Sequence, residues 1–505
     1  MRAFEALLLF FDLLALLMLA IRPPCLARWQ QLAPFTALVM AFAQGLAEGP
    51  RWQMVPAYAL TALLVVVSLR VTDAPGASPV RSILGRRLTM GFAALALAAA
   101  IALPIVFPVF RFPPPTGPYA IGTLTYHWTD AARSEVFGAD PEQRRQLMVQ
   151  LWYPAKASPS AARAAYMADA GKFTAAFARI HGMPAFVFAH IGAITTNAVS
   201  TAPAAQDQPS YPVLLFLEGA TGFRQMNTFH VEELVSHGYI VAALDQPGAA
   251  ATVVFPDGHQ TPGLNLMQFQ AAVRPSYLPD AQGSTPRGVA LPNGRALNEK
   301  SIVPYLTQDV RFALDQLAAL NRSDPSGTLT GKLDMQRVGA FGLSLGGIVV
   351  GEACRLEARV RACLMMDAPM STDVVKAGLR QPGMWITRDA ASMRLERQRS
   401  GGWPEAEIEA HLSSMRAVYD SHSGDAYFVQ VPGMFHSNFT DIPCWTPLAP
   451  WLGIAGPIDA MRAHKIVNAY SVAFFDRHLR GQPAGLLDGS ASLYPEAALE
   501  TKRRR

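Results

Sequence analysis

The stretch RVGAFGLSLGGIVVGEACRL, residues 337–356, reads as a strand, a sharp turn and a helix. Ser344 stands at the turn, with Gly342 two residues before it and Gly346 two after. Such a turn is so tight that side chains at the flanking positions would collide with the neighbouring strand and helix, while the serine is held exposed. Gly-x-Ser-x-Gly alone recurs by chance. The strand before it and the helix after it supply the context that makes Ser344 a nucleophile rather than part of a Gly-rich turn. The N–H of Leu345, at the helix start, then points at a developing oxyanion.

A serine hydroxyl needs a base, which comes last in the chain order of this arrangement. Of eleven histidines, those at 181, 190, 230, 237, 259, 411 and 422 precede the strand-like run YFVQV, residues 427–431, or sit in helices and loops. His464 and His478 fall in a terminal helix and are expected to be solvated or to cap it. His436, after a Pro-Gly turn, is placed to reach over Ser344. The carboxylate that orients the imidazole has two candidates at strand ends, Asp367 and Asp389, and spacing alone does not choose between them.

Around this centre strand-like runs alternate with helix-like ones. LMVQLWY (147–153), VLLFL (213–217), YIVAAL (239–244), RVGAFGL (337–343), ACLMM (362–366) and 384–387 are strands; 228–237, 304–320, 347–357 and 465–479 are helices. That alternation predicts an α/β fold around a mostly parallel sheet. Two insertions, about 160–203 and 250–300, are expected to shape the pocket. Phe173, Phe177, Phe186 and Phe188 in the first fit a lid, a lipid-facing surface or ordinary core. The second is long for a loop, which favours function.

Charged residues make up 16% of the 505 residues against 50% hydrophobic ones, where a soluble domain carries about 25% charged residues. This excludes a disordered chain. The missing charge is concentrated before Arg111. Ala6–Ile21 holds one charge, Asp12; Leu32–Ala47, Trp52–Leu69 and Leu88–Phe110 hold none. A bilayer helix needs about 20 apolar residues, so four spans are expected, with three as the fallback, because Pro34 and Gly45 interrupt the second run. The first run resembles a signal peptide, but Arg22-Pro23-Pro24 replaces a small-residue cleavage site and prolines precede Cys25, so it reads as a retained helix. Residues 1–112 are therefore a membrane region and 113–505 a catalytic domain, joined through the Pro-rich linker Arg111–Pro118.

The excess of Lys+Arg (43) over Asp+Glu (38) is mild. The terminal Lys502–Arg505 reads as a solvated tail, and nucleic acid is not an expected partner. No metal motif (HExxH, CxxC or EF-hand loop) is present, and no cofactor is expected. The four cysteines exclude a disulfide scaffold, and Cys354 and Cys363 are expected as core thiols rather than a bridge.

From Gly117 onward the chain resembles the plasma-type platelet-activating-factor acetylhydrolases, within the α/β-hydrolases related to dienelactone hydrolase. The matching stretches are Gly117-Pro-Tyr-Ala-Ile-Gly122 with Leu151-Trp-Tyr-Pro154, Tyr211-Pro-Val-Leu-Leu-Phe216 with Gly219 and Phe223-Arg224, and Gly238-Tyr-Ile-Val-Ala-Ala243. Phe341-Gly-Leu-Ser-Leu-Gly-Gly347, Asp367-Ala368 and His436-Ser-Asn-Phe-Thr-Asp441 complete the set. The resemblance implies an α/β-hydrolase fold, Asp367 as the acid, and the backbone N–H of Ala220 as the second oxyanion donor beside Leu345. Glu218 departs from the family, which often has His there, and the apolar N-terminal runs are absent from its secreted animal members.

These readings imply an esterase anchored in a bilayer, with Ser344, His436 and Asp367 cleaving short acyl groups from phospholipid-like or other small esters. The alternatives are a broad carboxylesterase or polyester- or dienelactone-type hydrolase, and, from a different class, a non-catalytic membrane module. Arg greatly exceeds Lys and Ala is abundant, which points to a GC-rich bacterial source and an inner membrane. Arg70, Arg81, Arg86 and Arg87 cluster before the last span, so by the excess of basic residues in cytoplasmic loops everything after Arg111 is periplasmic. A reporter fused after Phe112 is expected to signal outside the cytoplasm; a signal from the cytoplasm alone would reverse this orientation.

Overall fold

Helix α1 (Ala3–Ile21) is apolar on all its faces except at a few positions, and so are α2 (Ala27–Glu48), α3 (Val55–Val71) and α4 (Pro79–Val106). Leu8, Leu16, Leu60, Leu64, Ala93 and Ala100 bury against one another, while Leu7, Phe10, Phe92 and Leu95 point outward. A helix apolar all round is at home in a core or a membrane. By length and composition, Ala3–Ile21, Trp52–Leu69 and Arg87–Val106 are long and apolar enough to cross one. The second run forms a helix with Pro34 inside it, and its apolar part, Leu32–Glu48, is shorter. Two of the buried carboxylates in this bundle have partners. Thr61 donates to Asp12 at 2.7 Å, and Arg51 grips Glu5 at 2.7 Å.

The computed structural model describes residues 1–21, 27–71, 79–138, 140, 142–158, 160–278, 289–291, 296–297, 301–489 and 493–503. Arg22–Cys25, much of the 250–300 insertion and the last two residues of the basic tail lie outside the described residues, as do the side chains of Arg70, Arg81 and Arg86. The chain forms two units, Met1–Phe110 with Ala189–Ala193 and Trp445–Leu448, and Arg111–Phe188 with Ile194–Cys444 and Ala449–Arg505.

The second unit is built on a ten-stranded sheet. In chain order its strands are β1 (Ala120–Ser134), β2 (Arg144–Ala155), β3 (Val199–Ser200), β4 (Tyr211–Leu217), β5 (Ile240–Asp245), β6 (Leu333–Leu343), β7 (Val360–Met366), β8 (Gly383–Thr387), β9 (Ala426–Gln430) and β10 (Ala498–Lys502). Across the sheet the order is β10-β9-β8-β7-β6-β4-β5-β2-β1-β3. From β5 to β9 every neighbouring pair is parallel. Strands β4 and β5 are buried at every position, as parallel strands covered on both faces must be.

Of the flanking helices, α5 (Ala170–Ile180), α6 (Thr228–Ser236) and α7 (Leu266–Tyr277) precede α8 (Ile302–Arg322). Then follow α9 (Leu345–Leu356), α10 (Thr372–Ala377), α11 (Ala390–Ser400), α12 (Glu405–Ser421) and α13 (Ala460–Arg480). Val213, Leu215 and Leu217 pack with Leu306, Val310 and Val349 of α8 and α9. The alternate residues face the other way, where Phe341 meets His230 of α6 and Phe475 of α13.

Four expectations change here, and one left open is resolved. The tail is not simply solvated: Ala498–Lys502 pairs antiparallel with β9 as an edge strand, and Lys502 Nζ donates to the Tyr419 carbonyl at 3.2 Å. His464 is buried and stacks on Phe229 at 3.7 Å, so burial pushes its imidazole down to about 4. His478 is half-buried beside Tyr427. Phe173 and Phe177 are core residues, Phe173 lying 4.3 Å from Phe223. Finally, Cys354 and Cys363 are joined in a disulfide. Helix α9 packs on β7 and returns to it through a short connection, which brings the two Cα atoms to 6.5 Å. This bridge closes a short loop, for which a loop-entropy estimate gives about 2–3 kcal/mol. Cys354→Ala/Cys363→Ala is expected to lower the stability of the second unit by that amount in denaturant titration; an unchanged midpoint would refute it.

Candidate active site

Strand β6 ends at Leu343 and α9 begins at Leu345, leaving Ser344 alone at the corner with φ 56° and ψ −120°. A non-glycine residue in this region is strained and is held there by its surroundings. The surroundings here are backbone. A Cβ on Gly342 would stand 2.4 Å from the Gly346 carbonyl, and one on Gly346 would stand 2.0 Å from the Leu217 carbonyl oxygen. Neither neighbour can yield, so the glycines at both flanks are obligatory. The Ser344 N–H donates to Met366 O at 2.9 Å and ties the corner to the end of β7.

The loop after β4 passes close by. A Cβ on Gly219 would lie 3.4 Å from Ser344 Cβ, which sets Ala220 beside the serine. Ala220, Ser344, Leu345, Asp367 and His436 line one pocket of about 190 Å³. The second insertion walls it through Leu266, Phe269, Val273 and Tyr277 of α7. Arg274 of α7 pairs with Glu407 of α12 at 3.0 Å.

Asp367 follows β7 with φ 40° and no exposed surface. Its Oδ2 lies 2.5 Å from His436 Nδ1. Thr387 Oγ1 donates to Oδ1 at 3.1 Å, and Arg388 Nε lies 2.9 Å from Oδ2. Burial alone would raise this carboxyl. The Arg388 charge and the hydrogen bonds of His411 and His436 outweigh it and hold Asp367 well below the usual carboxylate range. Asp389 does something else: its side chain caps α11, accepting from the Ser392 N–H at 3.0 Å. With Nδ1 held by a carboxylate, Nε2 is the nitrogen of His436 left for chemistry.

The loop carrying His436 is tied at both ends of its motif. Asn438 Oδ1 accepts from Phe435 N and Gly456 N, each at 2.8 Å. Asp441 accepts from Thr228 N at 2.8 Å and Tyr166 Oη at 3.0 Å, which anchors the loop to α6. The Asn and Asp of His436-Ser-Asn-Phe-Thr-Asp441 thus shape the loop rather than touch the pocket.

Four neighbours carried no legible signal in the sequence. Arg388 is 1% exposed and pairs with both Asp367 and Glu396. His411 Nε2 is 3.5 Å from Asp367 Oδ1, and burial pushes that imidazole below its ordinary value. Trp403 stacks on His411, lies under Arg388 and meets His436 edge-on at 5.4 Å. All four lie between the end of β8 and the middle of α12, in a segment whose polar, Arg-rich sequence reads as an exposed helix. Glu218 is buried and accepts from Gln246 N at 3.2 Å; burial and the nearby Asp245 charge raise its carboxyl well above the usual range. Among the described residues no group of three or more His, Cys, Asp or Glu is arranged to hold a metal ion.

The pattern of the family described as platelet-activating factor acetylhydrolase, isoform II, matches residues 105–275 and 315–484. Platelet-activating factor acetylhydrolase of Gallus gallus is 23% identical over 309 residues, 57% of this chain and 67% of that protein. The Canis lupus familiaris protein of the same name is 25% identical over 296 residues, 57% of this chain and 61% of that one. A probable 1-alkyl-2-acetylglycerophosphocholine esterase of Arthroderma benhamiae is 24% identical over 302 residues, 57% of this chain and 66% of that one. The matched region therefore spans about two thirds or less of these relatives. Among solved structures, a ferulic acid esterase from Streptomyces cinnamoneus superposes with a TM-score of 0.58 at 27% identity, over 78% of this chain and 99% of that one. With the family pattern covering most of its length, this α/β-hydrolase chain belongs to the platelet-activating factor acetylhydrolase isoform II family, a family of ester hydrolases.

Proposed function

We propose that this chain is a membrane-anchored serine ester hydrolase that acts through Ser344, His436 and Asp367. The observation that carries the reading is the 2.5 Å contact of His436 Nδ1 with a buried, ionised Asp367, in the same pocket as a serine on a strained corner. The Ser344 hydroxyl attacks an ester carbonyl while His436 Nε2 takes its proton. Asp367 fixes the tautomer and stabilises the imidazolium. The tetrahedral oxyanion is held by the N–H groups of Leu345 and Ala220, and the leaving alcohol departs with the proton from His436. Water deprotonated by His436 then hydrolyses the acyl-enzyme, and the acid leaves.

The small, largely apolar pocket suits short acyl groups, and the acetyl-ester names of the relatives point the same way. The ferulic acid esterase neighbour favours a second reading, a carboxylesterase on non-lipid esters with the same residues. Three apolar helices of membrane length support anchoring. The Cys354–Cys363 bridge supports a catalytic unit outside the cytoplasm, since disulfides persist in oxidising compartments.

Ser344→Ala is expected to abolish labelling by a fluorophosphonate probe and hydrolysis of p-nitrophenyl acetate. Asp367→Asn should lower kcat by about ten-thousandfold, and Asp389→Asn by less than about threefold, since asparagine caps a helix about as well as aspartate. If Asp389→Asn is the crippled variant, the acid is misassigned. An sn-2 acetyl phospholipid beside p-nitrophenyl esters of rising chain length separates the two readings; indifference to the phospholipid with fast turnover of simple esters selects the second.

A further inference from the structure

A triad aspartate normally offers its whole charge to the imidazole. Here a buried guanidinium shares it. Arg388 Nε and His436 Nδ1 both approach Asp367 Oδ2, at 2.9 and 2.5 Å. By itself this arrangement cancels the charge that should stabilise the imidazolium. The far side of Arg388 meets a second carboxylate, Glu396. The other oxygen of Glu396 accepts the backbone N–H of His436 at 3.3 Å. The contacts close a ring: Asp367 to Arg388, Arg388 to Glu396, Glu396 to the main chain of His436, and its side chain back to Asp367. Trp403 packs on Arg388 and on the imidazole edge, fixing the ring from the pocket side.

We propose that Arg388 and Glu396 are positioning residues of the hydrolytic site: the ring holds His436 by both backbone and side chain, and Glu396 restores the negative charge that Arg388 removes. The inference rests on the function proposed above. Two carboxylates and one guanidinium leave one net negative charge facing the imidazole, as a lone aspartate would. Other ionisable groups near His436 include His411, whose imidazole burial pushes below its ordinary value, Glu407, paired with Arg274, and Arg399, which lies over Phe435. None of them stands between Arg388 and Asp367. The arrangement makes the base depend on one residue just after β8 and one on α11, neither of which touches substrate.

The test is the acid limb of the pH–rate profile for p-nitrophenyl acetate, measured on the full chain. Glu396→Gln keeps an oxygen that can accept the His436 N–H but removes a negative charge. The imidazolium is then less stable, so the limb moves to lower pH, by about one unit, and the plateau kcat falls with KM little changed. Arg388→Met removes the positive charge, so the imidazolium is more stable and the limb moves to higher pH. In the double variant the two shifts cancel and the limb returns close to wild type. Shifts in the same direction, or no shift, would overturn the proposal. If Arg388→Met fails to fold, Glu396→Gln decides alone: a limb that stays in place refutes the role. Persistence of activity in Ser344→Ala would instead refute Ser344 as the nucleophile, and with it the function proposed above, so the two failures are distinguishable.

Discussion

Two carbonyl groups and two missing side chains hold the site together. The backbone of α9 turns so tightly after β6 that Gly342 faces the Gly346 carbonyl, and Gly346 faces the Leu217 carbonyl at the end of β4. These contacts force Ser344 into a backbone conformation it would not choose, and the same contacts bring the ends of β4, β6 and β7 to one point. From β4 comes the loop with Ala220, from β7 comes Asp367, and the space between them is the pocket. The strain at Ser344 is sustained because parallel strands packed between helices leave the corner no room to relax.

That corner was legible because its demand for glycine is local and absolute. The buried strands were legible for a related reason: runs such as Val213–Leu217 and Cys363–Met366 are apolar throughout, as strands covered on both faces must be. The edges were harder. Strand β1 mixes buried and exposed positions over fifteen residues without a strong apolar run, and β10 is mostly exposed, with Glu500 and Lys502 charged. The disulfide was illegible because a pair of cysteines nine apart on successive elements says nothing of their distance until the helix is seen to fold back on its strand.

Of the site, the serine, the histidine and both candidate acids could be read from position along the chain. Between Asp367 and Asp389 the resemblance implies the first; in the structure Asp367 meets the imidazole while Asp389 closes the first turn of α11. Nothing in the pattern of residues 388–411 marks them as neighbours of His436. Arg388 follows a short strand and Glu396 lies on a helix with a polar composition, so each reads as surface. Only the packing of α11 against α12 turns that surface inward.

The bridge between Cys354 and Cys363 has a covalent consequence. A protease that cut the exposed turn after α9, at Arg359 for example, would divide the chain into one fragment bearing Ser344 and another bearing Asp367 and His436. The sulfur–sulfur bond would keep the fragments tethered a few residues from each partner's position. Nicked material would therefore migrate as one species until reductant is added, and both halves of the reacting centre would stay on a single molecule.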